Sequence, residues 1–251
     1  MKRAWIAMVV ALALIAVIPV AAWADTIVGS SGATWRNYTT ADINADGKPY
    51  WDGNSSDGPG QNIGYYLTNT GAFSSSTAGP GAIPYWGNGN GTADLNFYFD
   101  NTSNYSVGTM KLEVAGYAGN NIFGWYDISN PGTLHELFAG DVSTGGAGST
   151  VYFTPTAKYG FYLISNGVEG DTFKTQSLAG SDPAFQHFAV FQQNELNYWL
   201  GIEDLRSTGD RDYNDMVVKV TNVSVPEPGT LLLLASGLAG LGGVVWRRQR
   251  K

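Results

Sequence analysis

The 251-residue chain contains no cysteine. That absence excludes disulfide bonds and a lipid anchor on a modified cysteine, so any exported fold must stand on its core, its length or a bound ion. Histidine is nearly absent too. His135 and His187 are the two present, each inside a strand-like stretch and neither in a recognisable motif. No G-x-S-x-G, H-E-x-x-H or phosphate-binding loop occurs, which leaves an enzyme without a visible signature and makes a non-enzymatic protein the leading reading. Paired carboxylates for glycoside cleavage stay open, because a sequence does not measure their separation. Basic residues are also scarce. Between residues 25 and 225 eight of them face twenty acidic ones, a net charge of −12. Such a body is a poor partner for nucleic acid and a good one for divalent cations.

The two ends differ from this body. Lys2 and Arg3 precede an apolar stretch from Ala4 to Val20, and Ala22-Trp23-Ala24 puts small residues where a signal peptidase looks. Residues 1–24 therefore read as a signal peptide cut before Asp25, the alternative being a retained N-terminal anchor. At the other end, Pro226-Glu227-Pro228 precedes an apolar run over 230–246, and Arg247, Arg248, Arg250 and Lys251 close the chain. As a helix the run would be about 26 Å long, enough to cross a hydrocarbon core, with the basic end cytoplasmic.

This three-part tail, residues 226–251, resembles the PEP-CTERM sorting signal. The resemblance implies recognition at Pro226, Glu227 and Pro228 and at the basic end by an exosortase, after a membrane-anchored intermediate. It implies delivery to the cell surface or extracellular matrix of a Gram-negative, exopolysaccharide-producing bacterium. An ordinary tail anchor after a proline-containing linker is the other reading.

The body between residues 25 and 225 is about the size of one domain. No part of it sustains a helical apolar period, and no fixed-length repeat is evident. Alternation dominates instead. Leu95, Phe97 and Phe99 share a face, as do Met110, Leu112 and Val114. Further strands are expected at 122–126, 134–138, 150–153, 159–165, 187–192, 198–203 and 216–225, with turns such as Asn130-Pro131-Gly132 between them. A change of phase near Asn222 predicts a bulge or the exit from the sheet. The expected fold is an all-β antiparallel sandwich, jelly-roll-like, flanked by the signal peptide and one transmembrane helix. The Gly-, Asn- and aromatic-rich stretch 34–91 predicts ordered loops or short strands laid across it.

The sharpest constellation is Glu203-Asp204 followed by Asp210-Arg211-Asp212-Tyr213-Asn214-Asp215. It joins two strand candidates, so a hairpin pins both its ends. Oxygens of Asp210, Asp212 and Asn214 at alternate positions can converge, with Glu203, Asp204 or Asp215 closing a calcium shell. The competing reading is a turn whose Asp and Asn side chains bond their own backbone. The passage also resembles a family of uncharacterised domains in exported bacterial proteins, marked by a Glu-Asp pair and then Gly-Asp-x-Asp-[Tyr/Phe]-Asn-Asp. That resemblance implies a β-sandwich with a calcium site and no known activity. A second cluster, Asp42, Asn44 and Asp46, matches half of an EF-hand loop, but Gly53 stands where its last ligand belongs. Trp51 and Trp86, with Trp125 and Tyr126, are candidates to stack on sugar rings. A carbohydrate-binding module for exopolysaccharide is thus the alternative function, and a polysaccharide hydrolase a third.

Overall fold

The computed structural model describes residues 25–37, 50–51, 63, 67, 83–102, 105–113, 118–139, 149–165, 170–206, 211–223 and 237. The signal peptide, Asp42, Asn44, Asp46, Asp210, the Pro226-Glu227-Pro228 motif, the helix expected over 230–246 and the basic end Arg247-Arg248 lie outside the described residues. No helix among the described residues is long and apolar enough to cross a membrane.

Strands carry the described body. In chain order they are β1 (Thr26–Val28), β2 (Thr34–Arg36), β3 (Tyr85–Gly87), β4 (Tyr98–Asp100), β5 (Tyr105–Glu113), β6 (Ile122–Asp127), β7 (Asn130–Ala139) and β8 (Thr150–Phe153). They continue as β9 (Lys158–Ser165), β10 (Asp171–Lys174), β11 (Phe188–Asn194), β12 (Asn197–Ile202) and β13 (Met216–Val223). All pairings between them are antiparallel. One sheet runs β1-β4-β9-β6-β7, with β10 also on β9; the other runs β2-β3-β11-β12-β13-β5-β8.

The sheets enclose a core of alternating inward side chains. Phe99, Phe123, Phe161 and Leu163 from the first sheet join Met110, Val190, Leu200, Val218 and Val220 from the second in one buried cluster. Its contacts are strongly aromatic: Phe123 stacks on Phe161 at 5.4 Å between ring centres, and Phe99 meets Tyr198 edge-on at 5.7 Å. Aromatic pairs of this kind add to the stabilisation from burial alone. The all-β reading with two antiparallel sheets therefore stands.

Part of the second sheet, at β3, β11 and the start of β13, is buried on both faces. Tyr50, Trp51 and Ile63 pack with Tyr85, Ala189, Phe191, Tyr213 and Val217 in a second cluster on its outer side. This explains two unbroken apolar runs, Phe188-Ala189-Val190-Phe191 and Met216-Val217-Val218, where alternation alone would have required polar residues.

Three local expectations are corrected. Leu95 does not continue the inward row of Phe97 and Phe99: it is exposed, and β4 begins only at Tyr98. Asn130-Pro131-Gly132 is not the turn; it lies in β7, at an outer edge of its sheet, where a missing N–H is tolerated. No bulge falls at Asn222: the irregularity in this pairing lies between Val217 and Val218, where β5 carries the extra residue, Lys111, and β13 keeps its phase. Asn222 pairs regularly with Ser106 and is buried on the face of Val218 and Val220. The apparent phase change was a polar residue at an inward position.

The partner of Asn222 is Asp25, which is 0% exposed. With the Asn222 amide oxygen accepting from Asp25 N–H (3.0 Å), its NH2 donates to Asp25 Oδ2 (3.2 Å) and to Ser106 Oγ (3.2 Å). Asp25 further accepts from Tyr159 OH (2.8 Å) and Thr102 N–H (2.9 Å), and its carbonyl from Tyr198 OH. Burial, then the Asp25 charge, push the Tyr159 hydroxyl well above its ordinary pKa, so it stays a donor. Residues from both sheets meet here in one satisfied polar network.

Candidate functional site

The acidic motif lies where β12 ends and β13 begins. Glu203 and Asp204 follow β12, Asp212, Asn214 and Asp215 precede β13, and a bridge pairs Ile202 with Asn214. The fold divides these residues into two groups.

The first is a turn whose side chains bond its own backbone. Arg211 and Tyr213 have positive φ, 63° and 55°. For a tyrosine this is an outlier that costs of order 1–3 kcal/mol. Several contacts hold it there. Tyr213 N–H donates to Glu203 Oε1 (2.8 Å), its carbonyl accepts from Ile202 N–H (3.1 Å), and its hydroxyl donates to Gln186 O (2.7 Å). The Asp212 carboxylate accepts from Asn214 N–H (3.1 Å) and from the Asn214 side-chain amide. Asp212 and Asn214 thus meet as acceptor and donor, not as two oxygens aimed at one ion. That much matches the turn reading.

The second group is different. Asp215 Oδ2 accepts from Asp204 N–H (2.8 Å), which places the Asp215 carboxylate beside Asp204. Asp204 is 2% exposed, and burial raises its pKa, opposed by hydrogen bonds from Asn121 and with Asp215. Arg206, two residues on, gives its guanidinium to Asp171, whose carboxyl it holds below the usual range. Asn121, the residue before β6, donates Nδ2 to Asp204 Oδ2 (3.0 Å). Sequence reasoning missed Asn121, because nothing local links a Gly-Asn-Asn turn to a hairpin 83 residues away. Among the described residues no three Asp, Glu or His side chains form a group fit for a metal ion. The oxygen-rich set here is two carboxylates and an amide.

His187 borders the site through Nδ1, 3.0 Å from Glu203 O. His135 belongs to the other sheet, its ring stacked on Trp125 at 4.0 Å. Beside the turn, a cleft of about 440 Å³ is lined by Tyr50, Asn88, Phe185, Arg211 and Tyr213 among others.

The sugar-stacking candidates are corrected. Trp51 is 1% exposed and meets Phe191 edge-on at 5.1 Å; Trp86 is 7% exposed and donates Nε1 to Asp94 (2.9 Å). Trp125 and Tyr126 are buried as well. None of the four presents a free ring face.

Comparison with known families bears on both parts of the chain. Residues 153–222, from the end of β8 through Asn222 of β13, match a family described as Domain of unknown function (DUF4114). Residues 224–251 match the PEP-CTERM protein-sorting motif. The chain is accordingly an all-β exported protein of the exosortase-sorted class, which passes through a membrane-anchored intermediate in Gram-negative bacteria. No curated protein and no solved structure matches it.

Proposed function

We propose that this is a non-enzymatic cell-surface or extracellular-matrix protein whose acidic hairpin binds calcium, which stiffens a sandwich that has no disulfides. The observation behind this reading is the Asp204–Asp215 pair: the Asp215 carboxylate sits on the backbone N–H of Asp204 (2.8 Å), and Asp204 is almost fully buried. Like charges so placed repel unless a proton or a cation lies between them. Hard oxygen donors, a body charge of −12 and export to surroundings that hold free calcium all favour the cation. The bound ion would remove the repulsion between the ends of β12 and β13 and so stabilise the native state by mass action.

The test is a thermal melt of the full-length chain in detergent, with excess calcium chloride or with EDTA. At calcium about a hundredfold above its Kd, the Tm should rise by roughly 5–10 °C. Identical curves in the two conditions would refute the reading.

A further inference from the structure

The cleft beside the acidic turn, about 440 Å³, falls in the size range of small-ligand sites, roughly 300–1,000 Å³. Asn88 and Thr92 after β3, Leu95 before β4, Phe185 before β11, and Arg211 of the turn contribute to its walls. Arg211 is the only charged residue in this lining. Its φ of 63° lies in the left-handed region, where a glycine would sit without strain. Its guanidinium stands over the Phe185 ring at 5.6 Å and makes no ion pair with any described residue, on a body whose net charge is −12. A cation held on a ring face by a strained backbone, with no partner in the fold to account for it, is placed for a ligand.

The polar groups around it are acceptors. Asn88 gives its Nδ2 to Ala93 O (2.9 Å), and the Thr92 hydroxyl gives its proton to Asn90 Oδ1 (2.7 Å). Asn88 Oδ1 and the lone pairs of Thr92 Oγ1 are then left to accept from outside. One fixed cation among acceptors calls for a ligand with one acid group and several O–H donors. A sugar acid has that chemistry. Its carboxylate takes the guanidinium fork, its hydroxyls donate to Asn88 and Thr92, and a C–H face of its ring rests on the exposed Leu95. A plain aliphatic acid would leave the acceptors unmatched.

We propose that this cleft binds a uronic acid residue, with Arg211 holding its carboxylate. The proposal goes beyond the calcium reading and uses neither Asp204 nor Asp215. It also moves sugar binding away from the buried tryptophans, to a site with one charged and several polar groups accessible.

Calorimetric titration of digalacturonate into the full-length chain, in detergent and EDTA, tests this, with the uncharged digalactose as control. Wild type should bind the acid roughly tenfold or more tightly than the neutral sugar, the range of a charge-assisted hydrogen bond. Arg211→Gln should bring the two sugars to the same affinity. Arg211→Lys, which keeps the charge but not the planar fork, should fall between. Ala184→Trp, which adds a large ring at an exposed position of the lining, should weaken both sugars. No binding by wild type, equal binding of the two sugars, or an acid affinity that Arg211→Gln and Ala184→Trp leave unchanged would overturn the proposal. Should Arg211→Gln not fold, Arg211→Lys and Ala184→Trp decide by the same readings. Because EDTA keeps calcium out, failure here leaves the hairpin reading standing, and failure of the calcium melt leaves the cleft standing.

Discussion

At the scale of single residues, His187 shows how burial sets a protonation state. Its ring lies on Phe173 at 3.5 Å between centres and 8° between planes, with Phe185 edge-on at 4.8 Å. Burial lowers its pKa from 6.5 to about 4, although the Glu203 carbonyl and the carboxylates of Asp182 and Asp171 pull it up. The unfolded chain therefore takes a proton near pH 6.5 that the folded chain refuses. The neutral ring's contribution is fully present above that pH and is lost as pH falls toward 4, a change of roughly 3 kcal/mol. His187→Gln should flatten that part of the profile: between pH 6.5 and 4 its Tm should drop less than the wild-type Tm in melts run side by side. Asp204, with its raised pKa, acts in the opposite sense but is common to both chains, so the difference isolates His187. Residue chemistry was legible where it is local, as in the acidic turn. It was not legible for Asn121 or Asp25, whose partners stand 77 residues or more away in sequence.

At the scale of elements, alternation located most of the long strands, because inward and outward side chains differ in polarity whenever one face is wet. It failed where that premise fails. Asn222 faces inward and is satisfied by Asp25, and Val217 faces a second buried layer. Pairing contributes constraints that no pattern of hydrophobicity carries. Gly124 of β6 is one. A Cβ there would lie 2.0 Å from the His135 carbonyl oxygen and 2.7 Å from the Tyr162 ring, at a register shift between β6 and β7. Backbone on one side and a buried tyrosine on the other leave little room to yield. Gly124→Ala should cost roughly 3 kcal/mol, read as a lower urea midpoint with an unchanged m-value.

For the whole molecule, two of the polar contacts between sheets sit at opposite ends of β13. Asp215 stands just before Met216 and Asn222 close to the far end, a separation of roughly 20 Å along an extended strand. The Asp25 end is held by hydrogen bonds from Tyr159, Thr102 and Asn222. If the hairpin binds calcium as proposed, the ion acts on the other end of the sandwich alone. The stretch 34–91 was expected to lie across the sandwich, and its described residues Tyr50, Trp51 and Ile63 do cover the second sheet, but which face they cover is a matter of topology that composition does not encode.

The enclosure of Asp25 also orders events in time. If the leader is cut before Asp25, the new terminus belongs to a residue with no surface for a protease to grip once Tyr159, Tyr198 and Asn222 have closed around it. Processing must then run ahead of folding, on a chain still threading through the membrane. A precursor allowed to fold first in vitro should resist purified signal peptidase, while the same precursor held in urea should be trimmed, and the two band patterns on a gel would tell them apart.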